Sequence, residues 1–186
     1  MNKKRSALAF VSILVALFAL APQIGAQEEG GGLPSPSASV SQLIGTGTVE
    51  ITYHRPGVKG REGAIYGDLV PYDEVWRAGA NAPTAISFSE NVTINGKKLA
   101  AGSYTFQILV TKKDWTLIFS SPSEDEDEDE GSEALRVKVT PKKSQHKEWL
   151  EYGFENLADT TDADKASAVA YIRWEGLKAS FKIQAD

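Results

Sequence analysis

The sequence holds no cysteine, a single methionine and only two histidines, His54 and His146, in 186 residues. Without cysteine there is no disulfide, no thiolate metal site, no thiol nucleophile and no lipid attachment at a processed N-terminal Cys. The two histidines form neither a His-x-His nor a His-Glu-x-x-His pattern, so the common zinc-hydrolase signatures are missing. No serine sits in a nucleophile elbow. Past Ala21 no apolar run nears the roughly 20 residues that span a bilayer. Basic residues nowhere cluster as they do in nucleic-acid binders, which argues against a nucleic-acid partner. Neither a cofactor nor a metal-ligand set is indicated, and no catalytic residue is assigned.

What is present begins with Lys3, Lys4 and Arg5, an apolar run from Ala7 to Ala21, and the small residue Ala26 in "APQIGAQ". That combination predicts a secretory signal peptide over 1–26. The run is about 15 residues, short of the roughly 20 needed for a retained anchor. The expected product starts near Gln27 and is exported, either periplasmic or secreted, and not a lipoprotein. Loss of the three leader cations takes the formal net charge from −5 to −8, and Glu124–Glu130, "EDEDEDE", supplies seven of those negative charges. The remaining fold is close to neutral. Alternating acids attract calcium, but Gly131 falls one place late for an EF-hand loop and no closing acid follows. Adjacent like charges repel and stay hydrated, so a disordered acidic loop is expected at about 122–133.

Residues 27–36 are Gly, Pro, Ser and Glu-rich, too polar to offset the entropy of ordering, and read as a flexible lead. From there apolar residues recur at every second position, the mark of half-buried strands. Val49, Ile51 and Tyr53 alternate with Thr48, Glu50 and Thr52; Tyr104, Phe106, Ile108 and Val110 share a face, as do Trp115, Leu117 and Phe119. Asn95-Gly96 signals a tight hairpin, because both turn residues must take positive φ. Lys112-Lys113-Asp114 reads as a turn, and Glu175-Gly176 as another between "SAVAYIRW" and Leu177. The segment "KKSQHKEWLEYGFENLA" is strand-like from Glu148 onward, with room for one short helix before it. About nine or ten strands predict an all-β fold, an antiparallel β-sandwich, jelly-roll-like or Ig-like, as a single domain over 37–186.

One stretch, "YHRPGVKGREGAIYGDLVPYDEVWRAGAN" from Tyr53 to Asn81, lacks clear periodicity. Loops this long in a compact domain are functional or form an ordered cover. Tyr66, Tyr72, Val75 and Trp76 have apolar area to bury, and five glycines allow tight turns. The stretch carries Arg55-Pro56, Lys59-Gly60-Arg61, Gly67-Asp68-Leu69-Val70-Pro71-Tyr72 and Trp76-Arg77-Ala78-Gly79-Ala80-Asn81. Asn95-Gly96-Lys97 and Ala101-Gly102-Ser103-Tyr104 follow. In this order the segments closely resemble the bacterial family called domain of unknown function 2911, strongly from Pro34 to about Phe119. The resemblance implies an exported bacterial protein with no established activity. The chain departs from the family pattern at His54, where Ser is common, and at the acidic run, where a Trp-Gly segment often stands.

Three readings of the stretch follow. As a binding module, Arg55, Arg61 and Arg77 offer planar forks for a carboxylate or phosphate, Trp76, Tyr66 or Tyr72 offers a stacking surface, and His54 and Asn81 add directional polar groups. The expected partner is then a small acidic metabolite or an envelope glycan. As a hydrolase, His54 with Ser87 or Ser89 and Asp68, or a carboxylate pair from Asp68, Asp73 and Glu74, would need to meet in one pocket. As a structural cover, the arginines would pair with carboxylates or backbone carbonyls while Trp76 plugs the core. Trp115, Trp149 and Trp174 lie on strand-like stretches and read as packing residues, and His146, in a Lys-rich segment, reads as exposed.

Overall fold

The computed structural model describes residues 35–122, 131–158, 162 and 165–186. The leader at 1–26, most of the lead at 27–36 and the acidic run at 124–130 lie outside the described residues. Among the described residues eleven strands follow one another: β1 Ser37–Ile44, β2 Gly47–His54, β3 Val75–Trp76, β4 Thr84–Phe88, β5 Val92–Ile94, β6 Lys97–Leu99, β7 Gly102–Val110, β8 Trp115–Ser120, β9 Glu133–Val139, β10 Lys142–Ala158 and β11 Ser167–Ala185. One sheet runs β1-β2-β4-β7-β8-β9 with β3 also on β7, the other β10-β11-β5-β6, and every strand pair is antiparallel. The described residues all belong to one compact unit, Gly32–Asp186. It is the β-sandwich that the alternating pattern predicts.

The alternation sets which side chains face the core. Along β2 the burial pattern is strictly alternate, with Val49, Ile51 and Tyr53 inside; a strand buried on one face must show this period of two. Aromatic side chains close the space between the layers: Phe106 of β7 meets Phe119 of β8 at 5.1 Å and reaches Phe181 of β11 at 6.0 Å. The β5–β6 hairpin turns at Asn95 and Gly96 with φ of 47° and 81°, as the Asn-Gly signal requires. At the expected Lys112–Asp114 turn, Thr111 donates its backbone N–H to the Asp114 carbonyl at 3.0 Å.

Two local expectations are corrected. The segment from Lys142 to Glu148 is strand and not helix, because β10 begins at Lys142 and runs on to Ala158. Nor does Glu175-Gly176 turn the chain: β11 continues past it, although Glu175 takes a φ of 51°. Both corrections have one cause. Lys143 pairs with Leu177, Lys147 with Glu175 and Glu151 with Arg173, so eight steps along β10 face four along β11. The extra residues bulge out of the ladder, bend the pair and break the period by which a strand is recognised.

Beyond the bulge, Glu151 accepts hydrogen bonds from Arg173, one of them at 2.9 Å through Nε, and faces Lys147 Nζ at 2.5 Å. Burial works to raise the Glu151 carboxyl, yet the hydrogen bonds and charges of Lys147 and Arg173 outweigh it, and the net shift is downward. A carboxyl held below its unfolded value stabilises the fold above that value and loses this contribution as pH falls through the lowered one. Glu151→Gln should therefore be less stable than the parent near neutral pH. The gap should close well below the ordinary Glu value of about 4.3, as read by urea midpoints across the acid range; a gap that persists there contradicts the assignment.

Candidate functional site

The long stretch between β2 and β4 is an ordered cover. It contributes Val58, Ile65, Val70 and Ala78 to the core, and backbone bonds stitch it to β10. Val58 N–H donates to the Glu148 carbonyl at 2.8 Å, and Leu150 N–H to the Pro56 carbonyl at 3.0 Å. The Tyr152 hydroxyl, fully enclosed, donates to the Ala78 carbonyl at 2.6 Å. Burial pushes this hydroxyl well above its usual pKa, with Tyr53 and Tyr66 adding to the effect, so it remains a neutral donor.

The cover leaves a cleft of about 540 Å³, within the range of small-molecule sites. Lys59 and Arg61 bring two cations to its wall, and no carboxylate lines it among the described residues. Arg61 is aimed by its own turn: Nε donates to the Val58 carbonyl at 2.9 Å and Nη2 to the Gly57 carbonyl at 2.8 Å. A guanidinium has five N–H donors, so it keeps hydrogen-bonding capacity toward a ligand. Trp76 and Trp174 form the aromatic part of the wall, their rings 6.0 Å apart and 19° from parallel. Trp76 Nε1 donates to the Gly79 carbonyl at 3.0 Å, which fixes the ring. Gly79 has no room for a side chain, since a Cβ there would lie 2.7 Å from Thr84 Oγ1. Pro56, Leu69, Val70 and the buried Ser35 complete the lining.

Of the seven residues singled out from the sequence, Arg61 and Trp76 line this cleft. Arg55 stands behind it, giving its Nε to the Leu150 carbonyl at 2.8 Å. Asn81 takes a φ of 56° and donates its Nδ2 to the Ser35 carbonyl at 2.9 Å, holding the entry of the chain in place. Tyr66 packs below, 5.2 Å from Trp115 and 6.2 Å from Trp174. Burial, then Glu175 and Tyr72, push its hydroxyl far up. Arg77 donates to the Asn81 carbonyl and lines a separate hollow of about 120 Å³ with Val75, Pro83 and Gln107. The three arginines therefore do not meet in one pocket. His54, half-buried at the end of β2, does not line the cleft, and neither do Asp68, Asp73, Glu74, Ser87 or Ser89. Ser89 Oγ already accepts the Thr48 N–H at 2.8 Å.

Sequence reasoning missed Lys59 and Trp174 as site residues. Lys59 was visible within the Lys-Gly-Arg segment beside Arg61. Trp174 is a packing residue as expected, only 1% exposed, and the same ring forms part of the cleft. One family profile, described as Protein of unknown function (DUF2911), matches residues 35–183. No curated protein and no solved structure matches the chain.

Proposed function

The chain belongs to the DUF2911 family, and from that premise we propose that the cleft binds a small anionic ligand carrying a sugar-like or flat ring, outside the cytoplasm. The observation that carries the reading is the lining itself: Lys59 and Arg61 in the same cleft as the Trp76–Trp174 pair. Cations in the lining favour a carboxylate or phosphate, and the half-buried Trp76 indole, backed by the buried Trp174, favours the C–H face of a sugar or a planar group. Acidic sugars and envelope fragments combine both features. Export rests on the leader pattern at 1–26; among the described residues no helix is long and apolar enough to cross a membrane.

A second reading, a structural or interaction domain of the cell envelope, draws on the inward bonds of Arg55 and Asn81. A thermal-shift screen against hexuronic acids, neutral hexoses and acidic metabolites separates the two. Acidic sugars should raise the melting temperature more than their neutral counterparts. Arg77→Ala should retain the ligand shift, because Arg77 faces the other hollow. If no compound shifts the parent protein, the structural reading stands. Loss of the shift in a folded Arg77→Ala protein would move the site to that hollow.

A further inference from the structure

We propose that Glu62, His146 and Glu148 form a binding site for a divalent transition-metal ion that fastens the long cover to β10. One ligand atom from each residue lies within 4.8 Å of the other two. His146 Nε2 stands 3.6 Å from Glu148 Oε2, too far for a hydrogen bond. That separation is close to the roughly 3.4 Å between two donors on a tetrahedral ion bound at 2.0–2.1 Å. A short side-chain adjustment brings all three donors onto one ion.

The backbone explains the convergence. His146 and Glu148 are alternate residues on β10, inside the segment where its extra residues bulge from the ladder between Lys143 and Glu151. Bulges re-aim side chains in this way. Glu62 comes from the facing cover, so an ion here joins two segments that are distant in sequence. Glu148 is also oriented: its Oε1 accepts the Lys59 N–H at 2.9 Å, leaving Oε2 toward His146. Carboxylate ligands are commonly fixed by such outer hydrogen bonds. His146 and Glu62 are exposed, so an ion has a path in.

The donor set selects the ion class. One imidazole nitrogen with two carboxylate oxygens suits Zn²⁺, Mn²⁺ or Ni²⁺, whereas Ca²⁺ takes oxygen ligands alone. Three protein donors leave the remaining positions to water. The site also communicates with the cleft, since Glu148 holds both the Lys59 and the Val58 N–H groups and Lys59 lines the cleft wall. An ion on Glu148 steadies the turn that presents Lys59.

Titration of tag-free protein with ZnCl₂, MnCl₂ and CaCl₂ by calorimetry tests the site, with His146→Ala and Glu62→Gln as surface variants that leave the core untouched. One equivalent of Zn²⁺ or Mn²⁺ should bind, and each variant should weaken it at least about tenfold. A third variant, with the acids of 124–130 replaced by their amides, should bind that equivalent as the parent does. Cobalt offers a second readout, a visible absorption band in the parent that is lost in His146→Ala. The proposal is overturned if no equivalent binds, if both surface variants bind like the parent, or if only the amide variant loses binding.

Discussion

Trp174→Ala is expected to lower stability by about 3–5 kcal/mol, the cost of emptying a large aromatic site in a packed interior. Trp174 is 1% exposed, stacks on Trp76 at 6.0 Å and meets Tyr66 edge-on at 6.2 Å. Its removal takes away one layer of a contact chain that runs from the cover into the sheet. Trp76, paired with Ile108 of β7 and tied through Nε1 to the Gly79 carbonyl, cannot collapse into the space. Trp149→Ala is the internal comparison: at 36% exposed, with Lys59 Nζ 5.7 Å from its ring centre, Trp149 should matter far less. Trp174→Phe should retain most of the stability, because the indole Nε1 has no hydrogen-bond partner among the described residues and Phe removes that buried donor. Urea midpoints at constant m-value measure all three. Equal losses at Trp174 and Trp149 would contradict this account of the packing.

The second large effect concerns binding. Reversing both cations, Lys59→Glu with Arg61→Glu, should weaken an anionic ligand such as a hexuronic acid by more than about 100-fold, since each charged hydrogen bond contributes roughly 1.5–3 kcal/mol. A neutral hexose should lose far less. Arg61→Lys is the finer probe: charge is kept, but the fork anchored on the Gly57 and Val58 carbonyls is lost, so an intermediate loss is expected. Acidic and neutral sugars losing affinity alike would show that the cations shape the turn rather than touch the ligand.

The parts of the fold that were legible are those where one local rule acts alone. Val49, Ile51 and Tyr53 alternate because β2 has one wet face, and Asn95-Gly96 turns because positive φ is needed twice. The β10–β11 pair was misread where two rules conflict. Its bulge interrupts the period, and Glu175-Gly176 has turn-like residues inside a continuous strand. At the candidate site, the cover announced itself through arginine, glycine and aromatic content, which led to Arg61 and Trp76. The roles within it were not legible. Arg55 and Arg77 carry the same guanidinium as Arg61, and only tertiary placement sends one to the Leu150 carbonyl and another to a different hollow. Trp174 lies about a hundred positions downstream of Trp76, and a buried strand Trp has the same local pattern whether or not a cleft opens beside it.

The stitching of the cover to β10 also bears on the order of folding. Arg55 reaches Leu150 across 95 positions, Tyr152 meets the Tyr53 hydroxyl across 99, and its own hydroxyl grips Ala78 across 74. Contacts that close such long loops form slowly, because chain entropy is lost before they return any stability. A nascent chain therefore has its β7–β8 hairpin well before it has a cleft, and Trp174, which completes the lining with Lys59 and Trp76, arrives only with the last strand.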